Sequence, residues 1–450
     1  MARLSRREWF KLAAAGVGAG CLSGWMAPFA AAAAKDPARK RSCILLWMNG
    51  GPSQMDTFDL KPGHANGGPF KEIETSAPGL KISEHLPKIA KFGDKMAVIR
   101  GMSTKEGDHA RATHLMRNGY LPQGEIQFPT LGSLVAKELG KDDASLPDFV
   151  SIAPYRAFSP AAFSAGFLGP QYAPLVIGDP LGAFAFGQPQ GGYDYNKLLK
   201  VQDLVPPDAV GKDHFDARVE LLQAQDKDFG DSHPDAVPRG HQAAYDKAVR
   251  LMRSSAAKAF DLDDEKDAVR DAYGRNLFGQ GCLLARRLVE RDVPFVEVTL
   301  SGVDGNQPGP GWDTHADNFE QVKRLSGVLD PAWAALMADL KDRGLLDSTL
   351  IVWMGEFGRT PDIQGNGRNH YPNAWSTVLA GGGIKGGQAV GKTSKDGTTV
   401  EERPTSAPDL IATVAAALGI DPTKQNRSNV GRPIRIAEKD AQPIKEILAS

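Results

Sequence analysis

The chain has almost no cysteine. Cys21, Cys43 and Cys282 lie far apart and none forms a CxxC pair, which excludes a thiolate zinc cage and a disulfide framework. It has no charge excess of either sign: 53 Lys and Arg stand against 54 Asp and Glu, a formal net charge of −1. With that balance, and no basic run interleaved with aromatics, nothing supports nucleic-acid binding. It has no Walker pattern, so the glycines at 381–383, 386 and 387 are expected to form a turn between strands rather than a nucleotide loop. The one extended apolar run, residues 12–34, is broken by Gly16, Gly18, Gly20, Gly24 and Pro28. The mature chain is therefore expected to lack a permanent membrane span.

What the sequence does contain begins with an address. Ser5-Arg6-Arg7-Glu8-Trp9-Phe10-Lys11 carries a twin-arginine pair, and small residues close the apolar run before Lys35. This pattern predicts a Tat signal over residues 1–34, use of the Tat export machinery, and a periplasmic or cell-envelope destination. Lipoprotein anchoring at Cys21 ranks below simple cleavage. Residues 35–450 then form one domain, with a loop and helical insertion at about 154–275.

Short apolar runs at 43–48, 96–100, 148–152, 294–300, 348–354 and 375–380 read as buried strands. Amphipathic stretches at 130–139, 276–291, 319–340 and 407–418 read as helices. Helix and strand in alternation predict a parallel α/β sheet. The generous Gly and Pro content, 49 and 31 residues, predicts long ordered loops around it.

In an open α/β sheet, ligands bind beyond the carboxyl ends of the strands. Asn49 and Glu356 each fall just past such an end, and Gly50 and Gly51 permit close backbone approach. Asp313 and His315 precede the helix at 319–340, and His370 closes the loop after Glu356. Oxygen and imidazole donors distributed over such loops predict a metal or anion site. The alternative is that Asp313 caps the helix and His315 rides its first turn. Asp56 and Asp59 are further oxygen donors, close enough together to hold a divalent ion, or Asx-type turn residues, the turn being equally expected for Asp59 taken alone. His109 lies in the first turn of a helix beginning near Asp108, divided between site and structural roles. His114 turns away and is expected to be packed. His214, His233 and His241 are expected to be exposed.

The segments Trp47-Met48-Asn49-Gly50-Gly51-Pro52-Ser53-Gln54-Met55-Asp56-Thr57-Phe58-Asp59, Gly311-Trp312-Asp313-Thr314-His315 and Met354-Gly355-Glu356-Phe357-Gly358-Arg359-Thr360-Pro361, with the twin-arginine leader and residues 109–119, carry a resemblance. The chain resembles the exported bacterial sulfatase-like family called domain of unknown function family 1501, within the alkaline phosphatase and sulfatase superfamily. The resemblance implies an alkaline-phosphatase-like three-layer α/β/α sandwich: a mostly parallel central sheet, helices on both faces and a helical cap insertion. It places Asn49 at the strand-one acidic position, His109 where a sulfatase has its modified cysteine, and Glu356 at a retained site carboxylate. Phe357 replaces a histidine. Asp313 and His315 resemble the aspartate–histidine pair of the phosphatase branch, and His370 falls near the last basic site residue. No Cys-x-Pro-x-Arg is present, so formylglycine chemistry is not expected.

The implied function is metal-dependent hydrolysis of phosphate or sulfate esters, on a small or polymeric anionic substrate. A divalent ion (Zn, Ca, Mg or Mn) would be held by some of Asn49, Asp56, Asp313, His315, Glu356 and His370. Arg359 or Arg368 would pair with the ester's oxygens. His109 would serve as nucleophile or general acid/base, with Thr57 and Ser53 weaker candidates for attack. The competing reading is a catalytically degenerate protein on the same fold, binding an anionic polymer or an envelope partner.

Overall fold

The first strand shows why the chain folds as it does. In a computed structural model, which describes residues 41–179, 194–206, 210–232, 236–302 and 309–449, β1 (Ser42–Met48) is buried along its whole length. Successive side chains of a strand point to opposite faces. Ile44, Leu46 and Met48 enter one apolar core and Cys43, Leu45 and Trp47 the other. A run apolar at every position, not every second one, is what a strand covered on both faces requires. The leader, Cys21 and His233 lie outside the described residues.

Among the described residues seven further strands join the sheet: β2 (Met96–Met102), β3 (Phe149–Ile152), β4 (Leu175–Ile177), β5 (Phe295–Leu300), β6 (Thr349–Met354), β7 (Trp375–Gly381) and β8 (Gln388–Val390). Their order is β8-β2-β7-β6-β1-β5-β3-β4. β1 pairs in parallel with β5 and β6, and β3 with β4 and β5. β7 runs antiparallel to both its neighbours, β2 and β6, and is the one reversed strand of the eight. This is a mixed α/β fold with a large, mostly parallel central sheet.

Helices cover both faces. Among the described residues, those longer than eight residues are α1 (His109–Asn118), α2 (Leu131–Leu139), α3 (Lys212–Ser232), α4 (Ala236–Arg253), α5 (Leu277–Val289), α6 (Asn318–Asp342) and α7 (Ala407–Ala417). α5 and α6 bring Leu284, Leu288, Leu329, Trp333 and Leu336 to one core. α2 and α7 bring Leu134, Leu410, Ile411 and Val414 to the other. Each fully buried Leu or Val is worth about 1.5–3 kcal/mol of transfer free energy, so the two cores fix the layers and the strand ends with them. Among the described residues no helix is long and apolar enough to cross a membrane.

The insertion divides in two. α3 and α4 lie side by side, joined by an ion pair of Arg253 with Asp216 at 2.6 Å. Lys247 of α4 pairs with Asp148 at 2.6 Å, just before β3 and so at the amino end of the sheet. That contact holds the helical pair beside the sheet at the end away from the carboxyl rim. The part of the insertion that reaches the carboxyl rim is the loop carrying Phe158, described below.

Candidate metal centre

Two glycines allow the loops of the rim to meet. Gly50 and Gly51 follow β1 with φ of 110° and 83°, a region that side chains strongly disfavour. A Cβ on Gly50 would sit 2.5 Å from the backbone nitrogen of Asp313, and one on Gly51 2.7 Å from the Phe357 ring. The 311–315 loop and the 355–357 turn are therefore pressed against the end of β1. The Trp312 N–H donates to the Asn49 carbonyl at 3.1 Å, and the fully buried Trp312 ring anchors the loop. His370 arrives on a two-residue antiparallel ribbon in which it pairs with Arg359. His109 is the first residue of α1, whose start is capped by Asp108 accepting from the Arg111 N–H at 3.0 Å.

These elements bring three imidazoles to one carboxylate. His315 Nε2 and His370 Nε2 lie 3.0 and 3.1 Å from Asp313 Oδ1, and His109 Nε2 lies 3.3 Å from Asp313 Oδ2. His315 Nε2 and His370 Nε2 are 3.1 Å apart. Donor atoms of His109, Asp313 and His370 all fall within 4.8 Å of one another.

The other ring nitrogens fix the tautomers. His109 Nδ1 donates to Glu356 Oε1 at 2.7 Å, His370 Nδ1 to the Gly107 carbonyl at 2.8 Å, and His315 Nδ1 to Asn369 Oδ1 at 2.7 Å. The Asn369 amide is itself oriented by donating to Gln364 Oε1. Each partner only accepts, so each neutral imidazole carries its proton on Nδ1 and its lone pair on Nε2. Three nitrogen lone pairs facing one carboxylate repel unless protons or a metal cation lie among them. A ring whose second nitrogen donates to a carboxylate, carbonyl or amide is the usual arrangement around a metal ion. The donor set of imidazoles and carboxylate fits a divalent ion.

The electrostatics agree. Burial opposes charge on His109, but its hydrogen bonds to Asp313 and Glu356 outweigh that and raise its pKa to about 9. Burial likewise opposes charge on Asp313, and the neighbouring His109, His370 and Arg359 overcome it, holding the carboxyl far below its usual range. In the metal-free chain protons and the Arg359 guanidinium offset the charge of this carboxylate. The His109 ring is clamped between Phe158, stacked at 4.0 Å and 9°, and Phe357 at 4.9 Å.

The remaining sequence candidates are placed as follows. Glu356 is fully buried and sits behind His109, where Oε1 also accepts from the Gly50 N–H at 2.9 Å; Oε2 has no partner among the described residues. Asn49 donates to the Gly309 carbonyl at 3.1 Å and its Oδ1 has no partner among the described residues. Asp56 is corrected: it is spent in a fully buried pair with Arg368, Oδ2 to Nε at 2.8 Å, with Ser53 and Asn318 on the same oxygen. Arg368 is corrected with it, because its other N–H groups donate to the carbonyls of Thr360, Pro361 and Asn66, leaving nothing for an anion. Arg359 is buried and donates to Asp313 Oδ1 at 2.6 Å, to Gly51 O at 3.0 Å and to Gly50 O. It is a positioning residue rather than an ester clamp. Ser53 bonds Asp56, and Thr57 bonds the Ser53 carbonyl at 2.7 Å, so neither hydroxyl is free to attack. Sequence reasoning missed Asn369, the Gly107 carbonyl and Phe158. Asn369 adjoins His370 and could have been suspected; the other two carry no sequence signal.

A family model for proteins of unknown function, DUF1501, matches residues 40–448. The chain belongs to the DUF1501 family. No curated protein matches it. Solved structures similar to it include the PsFucS1 sulfatase from Pseudoalteromonas sp., at 13% identity over 88% of this chain and 71% of that one, with a TM-score of 0.39. The lipoteichoic acid synthase LtaP from Listeria monocytogenes matches at 10% identity, 89% and 75% coverage and a TM-score of 0.40. An alkaline phosphatase superfamily protein from Vibrio parahaemolyticus matches at 11% identity, 89% and 76% coverage and a TM-score of 0.40.

Proposed function

We propose that this DUF1501 member is an exported, metal-dependent hydrolase of phosphate or sulfate esters. The observation that carries the reading is the convergence of three Nε2 lone pairs on Asp313, each imidazole set by its own acceptor. His109, His315, His370 and Asp313 would hold the ion, and zinc suits a set of imidazoles with one carboxylate. When bound, the ion supplies Lewis acidity to an ester oxygen and to water. The chain's own residues do the rest. Glu356 keeps the His109 proton on Nδ1, Arg359 fixes Asp313, and Phe158 and Phe357 limit water around the His109 ring. With Ser53 and Thr57 spent, attack falls to water. His315, with 46% of its side chain exposed, marks the side from which an anionic ester enters. The twin arginine at Arg6 and Arg7 supports delivery to the periplasm or envelope by the Tat machinery, which accepts folded, metal-loaded proteins.

Turnover of aryl sulfates, aryl phosphates and aryl phosphate diesters tests this, with the protein as purified, after chelation, and after zinc is restored. Turnover that is lost with the metal, recovered with zinc and absent in His370→Ala is the expected result. Metal retained by His370 with no turnover on any ester would favour a silent binder of anionic polymers.

A further inference from the structure

We infer that Arg359 is a built-in second cation of this centre, which therefore takes a single divalent ion. The inference rests on the metal-centre reading and sets its stoichiometry. Arg359 is fully buried. Its guanidinium is ringed by oxygens: Asp313 Oδ1 at 2.6 Å, the carbonyls of Gly50 and Gly51 at the end of β1, and the Arg368 carbonyl at 3.4 Å. A carboxylate with backbone carbonyls is the set a hard metal ion would receive. Here an organic cation has it, one that stays charged and cannot dissociate.

Two further buried oxygens at the same rim have no hydrogen-bond partner among the described residues, Glu356 Oε2 and Asn49 Oδ1. The region beside the histidines is thus rich in oxygen ligands, yet its positive charge is already supplied. The charge count makes the same point. Asp313 and Glu356 are each −1 and Arg359 is +1, so one divalent ion brings the centre to a total of +1. A second would bring it to +3 in a largely buried space, where unpaired charge is costly. A centre at +1 matches an ester group carrying one negative charge, as in a sulfate monoester or a phosphate diester, better than a dianionic phosphate monoester.

The test is elemental analysis of the full-length protein after saturation with zinc and magnesium and removal of free ions. One ion per chain is expected in the unmodified protein and in Arg359→Lys, which keeps the charge. Arg359→Met, which empties the oxygen ring, is expected to hold two. Two ions in the unmodified protein, or one in a folded Arg359→Met, overturns the inference while leaving the metal centre standing. No ion in any of them overturns the metal centre itself. Should Arg359→Met fail to fold, the counts for the unmodified protein and Arg359→Lys still decide.

Discussion

Replacing Glu356 with alanine removes nothing that would bind a metal through Oε1, yet it should weaken metal binding. Oε1 accepts from His109 Nδ1 at 2.7 Å and from the Gly50 N–H at 2.9 Å. In Glu356→Ala the His109 ring loses the acceptor that keeps its lone pair on Nε2, and the Gly50 turn loses its tie to the loop after β6. Losing such a partner behind a ligand typically costs about 10–100-fold in metal affinity, or about 1.4–2.8 kcal/mol. The stacking of Phe158 and Phe357 against His109 still restrains the ring, so the loss should fall within that range rather than abolish binding. Glu356→Gln keeps an acceptor oxygen and should lie nearer the unmodified protein. Competition with a chromophoric zinc chelator gives the dissociation constants, and far-ultraviolet circular dichroism confirms folding. Zinc affinity in folded Glu356→Ala equal to that of the unmodified protein would show that His109 is not a ligand.

Four other perturbations probe the same framework. Gly50→Ala puts a Cβ 2.5 Å from the Asp313 backbone nitrogen at a φ of 110°; the 311–315 loop must withdraw, and metal affinity should fall more than in Glu356→Ala in the same competition assay. Arg368→Met breaks a pair in which both side chains are fully buried and leaves the Asp56 charge with only the neutral donors Ser53 and Asn318, so urea unfolding should report a loss of about 3–5 kcal/mol; a loss below 1 kcal/mol would contradict the assigned pairing. Chelated protein should lose stability as pH rises through about 9, because His109 holds its proton up to there when folded but only to about 6.5 when unfolded. That contribution is complete below pH 6.5, and denaturation midpoints in His109→Gln should lack the alkaline decline. Adding zinc to the chelated protein at pH 8 should release a proton, readable with a pH indicator.

The sequence by itself determined the layers and the rim. Short runs apolar at every position and closed by breaker residues, such as residues 43–48, read as strands covered on both faces, and helices recurring between them predict a parallel sheet. Breaker residues just after the runs marked Asn49, Gly50 and Glu356 as strand-end positions, and the expected helices around residues 109, 131, 277, 318 and 407 lie within a few residues of those found. The reversal of β7 was not legible, because a short buried run reads the same in either direction. Nor was the fate of the charged residues. Asp56, Asp313, Arg359 and Arg368 all looked like site groups, because composition shows which side chains can bear charge but not which ones neutralise each other. Only the tertiary structure decided that Asp56 and Arg368 satisfy one another in the core, that Arg359 is held by the turn after β1, and that three Nδ1–H donors find acceptors in loops far apart in the chain. Hydrogen bonds and ion pairs act over a few ångströms in space whatever the separation in sequence, so a ligand set becomes visible only once the loops have met.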